Sequence, residues 1–137
     1  MGKRILVVED DSAVARLLQV NLEAAGYEVA WAADGREALA RVAGELPDLI
    51  VLDVMMPVMD GFEVLRRLKG DLDTADVPVV MLTAKADEQS IFEGWAEGVH
   101  CYLTKPFDPG DLLLFIGRLM ATEDEAADGG SGLPLEE

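Results

Sequence analysis

Cysteine, histidine and aromatic residues are scarce in this chain of 137 residues: one Cys, one His and 6% aromatics. The lone Cys101 excludes an internal disulfide, and one Cys with one His cannot build a Cys/His metal cluster. Basic residues are scarce too. Eleven Lys and Arg stand against 27 Asp and Glu, for a formal net charge of −16. Contacts to phosphate backbones need clustered Lys and Arg, so no direct binding of nucleic acid is expected. The densest basic group, Arg66-Arg67-Lys69, reads as the wet face of a helix rather than a docking patch. No apolar run reaches the roughly 18 residues of a membrane span. The short run Ile5-Leu6-Val7-Val8 meets Glu9-Asp10-Asp11 too soon to be a signal peptide. A cytoplasmic protein without membrane partners is therefore expected.

What is abundant is aliphatic. Half of the residues are hydrophobic, enough for one ordinary domain with one core. Five short apolar runs, near residues 4–8, 28–32, 48–52, 78–82 and 101–104, read as strands. Their continuous Val/Ile/Leu content, without polar alternation, predicts a parallel sheet covered on both faces. Helical spacing fills the gaps. Ala13, Val14, Leu17, Leu18, Asn21 and Leu22 form a first stripe, with Ser12 as N-cap and Gly26 as stop. Asp34 caps a second helix with Ala38, Leu39 and Val42 inward, and Asp60 a third with Phe62, Leu65 and Leu68 inward and Gly70 at its end. Asp87 opens a fourth helix. Asp108-Pro109 opens a fifth, with Leu112, Leu113, Ile116, Leu119 and Met120 on its apolar side.

Five βα units predict an α/β fold, a single doubly wound (βα)5 flavodoxin-like sandwich with the strand order 2-1-3-4-5. The domain is expected over residues 1–121. Residues 122–137, rich in Glu, Asp and Gly, read as a flexible acidic tail or the stub of a linker.

In such sheets, sites form at the carboxyl ends of strands, at the switch point between strands 1 and 3. Strand 1 ends in Glu9-Asp10-Asp11 and strand 3 in Asp53; strand 4 ends in Thr83-Ala84 and strand 5 in Lys105-Pro106-Phe107. Clustered carboxylates repel one another unless a hard cation sits among them, and Mg²⁺ prefers one or two carboxylates, water and a phosphate oxygen. Asp10 and Asp53 are expected to bind it directly, Glu9 through water, and the Met55 backbone carbonyl as a further ligand. Asp53 is then placed to attack phosphorus as a carboxylate nucleophile. Lys105 would balance the charge of the transferred group, and the Thr83 hydroxyl and the Ala84 N–H would donate to its oxygens. Alone, each residue has a plainer reading: Asp11, Asp60 and Asp87 as caps or turn residues, His100 as structural, Cys101 as a small core residue. Only the convergence of four strand ends overrides that for Glu9, Asp10, Asp53, Thr83 and Lys105.

On the motifs from Ile5 to Asp11, from Asp53 to Glu63, Leu82-Thr83-Ala84 and Tyr102-Leu103-Thr104-Lys105-Pro106-Phe107, the chain resembles a receiver domain of a two-component response regulator, similar in architecture to the chemotaxis response regulator. The likeness runs from about Lys3 to Ala121. It implies Asp53 as the phosphorylated residue, Glu9 and Asp10 as the acidic pair for Mg²⁺, Thr83 with Tyr102 as a switch pair, and Lys105 on the phosphoryl group. It also implies a cis Lys105–Pro106 bond, which an X–Pro pair adopts at low cost. The partners it implies are a histidine kinase or phosphotransfer protein upstream and a downstream protein on the face formed by helix 4, strand 5 and helix 5. Such a domain acts through partners, with only weak phosphotransfer and self-dephosphorylation of its own, so it is not read as an enzyme. A phosphatase of the haloacid-dehalogenase type would need a second Asp where Met55 stands. A phosphorylation-independent pseudo-receiver is disfavoured by the intact site, and a fragment of a longer DNA-binding or enzymatic regulator is compatible with the Gly-Gly-Ser-Gly tail.

The chain departs from one DNA-binding branch, whose members pair charged residues across a dimer. Here His100-Cys101, Gly110, Leu114 and Phe115 occupy those places. Leu114 and Phe115 are instead expected to form part of a hydrophobic partner surface, for a downstream protein or a second copy in a homodimer.

Overall fold

Branched aliphatic runs become the sheet, and the polar residues that close them stop it. The computed structural model describes residues 3–54, 56, 59–83, 101–104 and 107–127. In chain order these form β1 (Arg4–Val8), α1 (Ser12–Ala24), β2 (Glu28–Ala32), α2 (Gly35–Gly44), β3 (Leu49–Asp53), α3 (Gly61–Lys69), β4 (Val79–Thr83), β5 (Cys101–Thr104) and α4 (Pro109–Ala127). The helix expected after Asp87 falls among residues 84–100, outside the described residues, so the expected fifth helix is α4 here. Its backbone continues to Ala127, into the segment read as a tail.

All strand pairs are parallel, in the order β2-β1-β3-β4-β5, as the βα alternation predicts. The register sets Val8 beside Leu52, Asp53 beside Leu82 and Thr83 beside Thr104. Side chains alternate between two packed layers. Leu6, Val8, Ile50, Leu52, Val79 and Met81 pack with α2 and α3. Ile5, Val7, Leu49, Val51, Val80 and Leu82 pack with α1 and α4 through Leu18, Leu22, Leu112, Ile116 and Met120. The central strands β1, β3 and β4 are thus buried on both faces, as continuous apolar runs should be. The edge strand β2 is not: only Ala32 of it is buried.

Short polar side chains start the helices. Asp34 Oδ1 accepts from the Glu37 N–H at 2.9 Å and Asp60 Oδ1 from the Glu63 N–H at 2.9 Å. Asp108 Oδ1 accepts from the Gly110 N–H at 2.8 Å at the start of α4. At α1 the cap is Asp11, not Ser12: its Oδ1 takes the Ala13 and Val14 N–H groups at 2.9 and 3.3 Å. A carboxylate outcompetes a hydroxyl for the same orphan donors because the bond is charge-assisted. The buried stripe of α1 is Ala15, Leu18 and Leu22, with Val14 packed at its margin, whereas Leu17 is exposed. Periodicity gave the right helix with part of the wrong face.

Arg66 and Arg67 lie on the wet side of α3, paired with Glu63 at 2.8 and 2.9 Å. Hydrogen bonds from Arg66 and then Arg67 hold the Glu63 carboxyl below its ordinary range. Lys69 behaves differently. Its Nζ donates to the carbonyls of Ala75 and Val77 at 2.9 and 3.0 Å, and so pins the loop that leads into β4. The buried Thr74 hydroxyl closes the same loop on Leu68 O at 2.5 Å. Lys69→Met keeps the aliphatic stem but withdraws the donors from both carbonyls. Urea unfolding is expected to show a loss of about 1–3 kcal/mol, and an unchanged midpoint would remove Lys69 from this role.

Candidate functional site

β1 and β3 are neighbours, so their carboxyl ends bring Glu9 and Asp10 to Asp53. One carboxylate oxygen from each of the three residues lies within 4.8 Å of the other two. Glu9 and Asp53 are buried, at 1% and 2% exposure, while Asp10 is open to solvent. Hard oxygen donors at this spacing suit a small divalent cation. Octahedral Mg²⁺ with bonds of about 2.1 Å holds ligand oxygens roughly 3 to 4 Å apart and keeps water on its open side. The donor set and the half-open geometry therefore both fit Mg²⁺.

Each acid is placed by backbone contacts. Glu9 N–H donates to Ala32 O at 3.0 Å, and Glu9 Oε2 accepts from the Asp11 N–H at 3.1 Å. Glu9 is thus fastened by its side chain to the loop that also caps α1. Asp53 is the last residue of β3. Just past it, Val54 N–H donates to Leu82 O at 2.9 Å, and the Gly61 N–H at the head of α3 donates to Val54 O at 2.9 Å. Thr83 ends β4, is 1% exposed, and stands one residue beyond Leu82, the register partner of Asp53.

Glu9, Asp10, Asp53 and Thr83 therefore converge on one edge of the sheet, as their strand ends predict. Met55, Ala84, Lys105 and the Lys105–Pro106 bond lie outside the described residues, as do the side chain of Tyr102 and His100. The backbone of Tyr102 is in β5 beside Met81, and Thr104, which directly precedes Lys105 in the chain, pairs with Thr83. Among the described residues, two clefts lie elsewhere: one beside β2, lined by Arg4, Glu28 and Arg41, and one between α2 and α3, lined by Leu46 and Arg67. Neither gathers carboxylates as the strand ends do.

Two contributors to the site escape a reading of the sequence. Trp31 donates its indole Nε1–H to Glu9 O at 2.7 Å. Gly61 packs against the Asp53 carbonyl so closely that a Cβ there would collide with it. The signal for the first is a single Trp in an edge strand of small residues, since an indole N–H near a protein surface generally finds a partner. Nothing local signals the second.

A family model for the response regulator receiver domain matches residues 5–116. The chain is 46% identical over 121 residues to the DNA-binding dual master transcriptional regulator RpaA of Synechocystis, covering 88% of this chain and 50% of RpaA. It is 50% identical over 115 residues to the response regulator PleD of Caulobacter vibrioides, covering 84% of this chain and 25% of PleD. The chain thus spans half or less of the length of these curated relatives. Among solved structures, a CheY-like response regulator receiver domain protein from Methanospirillum hungatei superposes with a TM-score of 0.87 at 31% identity, covering 92% of this chain and 99% of that one.

Proposed function

This chain belongs to the response regulator receiver domain family, a signalling domain of two-component systems, and we propose that it switches by taking a phosphoryl group on Asp53. The observation that carries this reading is the buried Asp53 at a strand end, with the oxygens of Glu9 and Asp10 within 4.8 Å of its own. An Asp53 carboxylate oxygen attacks phosphorus. The new O–P bond forms as the donor's P–N bond (phosphohistidine) or P–O bond (acetyl phosphate) breaks, leaving imidazole or acetate. The product is an acyl phosphate, which water hydrolyses to restore Asp53. Glu9, Asp10, Asp53 and the Met55 carbonyl would hold Mg²⁺, which would supply charge neutralisation for carboxylates and phosphoryl oxygens alike. The Thr83 hydroxyl, the Ala84 N–H and the Lys105 ammonium donate to the phosphoryl group. The domain has no turnover of its own beyond this transfer and its reversal by water.

Signal output rests on two packings of one fold. The phosphoryl group carries about two negative charges where the carboxylate carried one, draws Thr83 toward it and frees space for the Tyr102 ring. To carry the population from 1:99 to 99:1 it must favour one packing by roughly 5.5 kcal/mol. The upstream donor is a histidine kinase or phosphotransfer protein in the cytoplasm. No helix among the described residues is long and apolar enough to cross a membrane. The downstream partner docks near Leu114, which is 53% exposed, and the half-buried Phe115. A second reading, a receiver working within a longer DNA-binding or enzymatic regulator, is supported by RpaA and PleD, which run well past the matched region.

Incubation with acetyl phosphate and Mg²⁺, followed by intact-mass measurement, tests the proposal. One phosphoryl group per chain is expected, lost in EDTA and mapped to Asp53 by borohydride reduction of the acyl phosphate. Labelling at another residue, or undiminished labelling in EDTA, would overturn it.

A further inference from the structure

The β1–β2 ladder stops where the acidic site begins. Val8 pairs with Ala32, and Glu9 N–H still donates to Ala32 O at 3.0 Å. In register the next rung would come from the Asp34 N–H, but Asp34 already caps α2, and the Ala33 N–H before it points away from β1 to Glu37 Oε1 at 3.0 Å. The Glu9 carbonyl takes its bond from a side chain instead: Trp31 Nε1–H donates to Glu9 O at 2.7 Å. Glu9 is thus gripped by the edge strand at both ends of its main chain. An indole extends the ladder by one rung beyond the point where backbone pairing ends.

We propose that Trp31 is a positioning residue of the acidic site, holding the Glu9–Asp10 peptide plane so that both carboxylates face Asp53; this rests on the reading of the three acids as a Mg²⁺ site. The argument is geometric. The peptide between Glu9 and Asp10 is planar, so fixing its carbonyl fixes its N–H and the Asp10 Cα, the point from which the Asp10 side chain leaves the backbone. Asp10 is the solvent-exposed member of the cluster. Among the described residues, none donates a hydrogen bond to its side chain. The next peptide carries the Asp11 N–H, which holds Glu9 Oε2 at 3.1 Å. One indole bond therefore bears on two of the three acids.

The chemistry of the donor suits the place. Arg or Lys could bond the same carbonyl, but either would put a cation beside the acids and compete with the metal. Indole N–H is a neutral donor with no acceptor of its own. The ring, 39% exposed, covers the strand end without adding charge. Outer contacts of this kind orient ligands and tune metal affinity without touching the metal.

Two variants separate the bond from the bulk. Trp31→Phe removes the N–H and part of the ring; replacing Trp31 by 3-benzothienylalanine keeps the bicyclic shape and removes only the donor. Mg²⁺ titrations are read from backbone amide shifts in NMR spectra, which do not depend on the indole. In both variants the half-saturating Mg²⁺ concentration is expected to rise roughly three- to tenfold. Melting in EDTA should change little for the isosteric replacement, and phosphorylation by acetyl phosphate should return to the parent rate at saturating Mg²⁺. That split between metal affinity and saturated rate is what a merely structural Trp31 would not produce. An unchanged half-saturation point in the benzothienyl variant, or a labelling rate still low at saturating Mg²⁺, overturns the assignment to Trp31 alone. Failure of the unsubstituted protein to saturate with Mg²⁺ at all would instead defeat the cation reading beneath it. Should the Phe variant fail to fold, the isosteric replacement decides.

Discussion

Asp53→Asn is expected to accept no phosphoryl group from acetyl phosphate at any Mg²⁺ concentration, while folding as the parent does. The carboxamide has nearly the volume of the carboxylate, so the buried strand end keeps its packing. What it lacks is an anionic oxygen able to attack phosphorus and leave a stable acyl phosphate behind. Asp53→Glu asks the sharper question, because it keeps the anion and moves it. One added methylene displaces the carboxyl by about 1.5 Å, and a misplacement of about 1 Å can cost a hundredfold in rate. Asp53 is 2% exposed, so the longer side chain has no open solvent to relax into. A loss of at least about a hundredfold in labelling rate is therefore expected for Asp53→Glu, measured by intact mass over time. The neighbours sharpen the test. Asp10 and Asp11 are exposed and could be labelled adventitiously by a reactive donor. Labelling of Asp53→Asn at the parent rate would show that one of them, and not the buried residue, is the acceptor.

The strand ends were legible because the sheet leaves little choice. A continuous aliphatic run closed by a polar residue has to surface where the run stops, and parallel βα units bring every such stop to one edge. That is why the sequence alone groups Glu9, Asp10, Asp53 and Thr83, and why β3 and β4 end on Asp53 and Thr83 themselves. The helix faces were less legible. Leu17 has the spacing of an inward residue, yet α1 turns Ala15, Leu18 and Leu22 to the sheet and leaves Leu17 45% exposed. Periodicity fixes the width of a stripe but not its centre, which packing decides. Nor does composition distinguish an edge strand from a central one: β2 reads as apolar and is mostly exposed. Trp31 signals that its indole N–H has some partner, but not which one. Its partner is a backbone carbonyl 22 positions away, and main-chain groups leave no mark in the sequence.

Gly61→Ala is expected to damage both the fold and the site, because what Gly61 supplies is space. It is the first residue of α3 and is buried. A Cβ there would collide with the Asp53 carbonyl oxygen, stand 2.8 Å from Val54 Cα and 3.0 Å from Met81 Cε. The thioether end of Met81 could move aside, but the two backbone contacts cannot. Either the head of α3 retreats, breaking the Gly61 N–H to Val54 O bond of 2.9 Å, or the end of β3 shifts with Asp53 on it. Overpacking of this kind typically costs about 1–3 kcal/mol and more where backbone must move, so a loss of roughly 2–4 kcal/mol is expected in urea unfolding. In the first case the residue after Asp53 loses its anchor to α3 and in the second Asp53 itself moves, so labelling at saturating Mg²⁺ should fall by about tenfold or more. Gly117 provides the contrast. It lies within α4 with nothing within 4 Å of an added Cβ. Gly117→Ala should therefore stabilise the protein by up to about 1 kcal/mol through helix propensity alone and leave labelling untouched. Equal stability of Gly61→Ala and the parent would mean that α3 tolerates a retreat, and that Asp53 does not depend on the close approach of that helix.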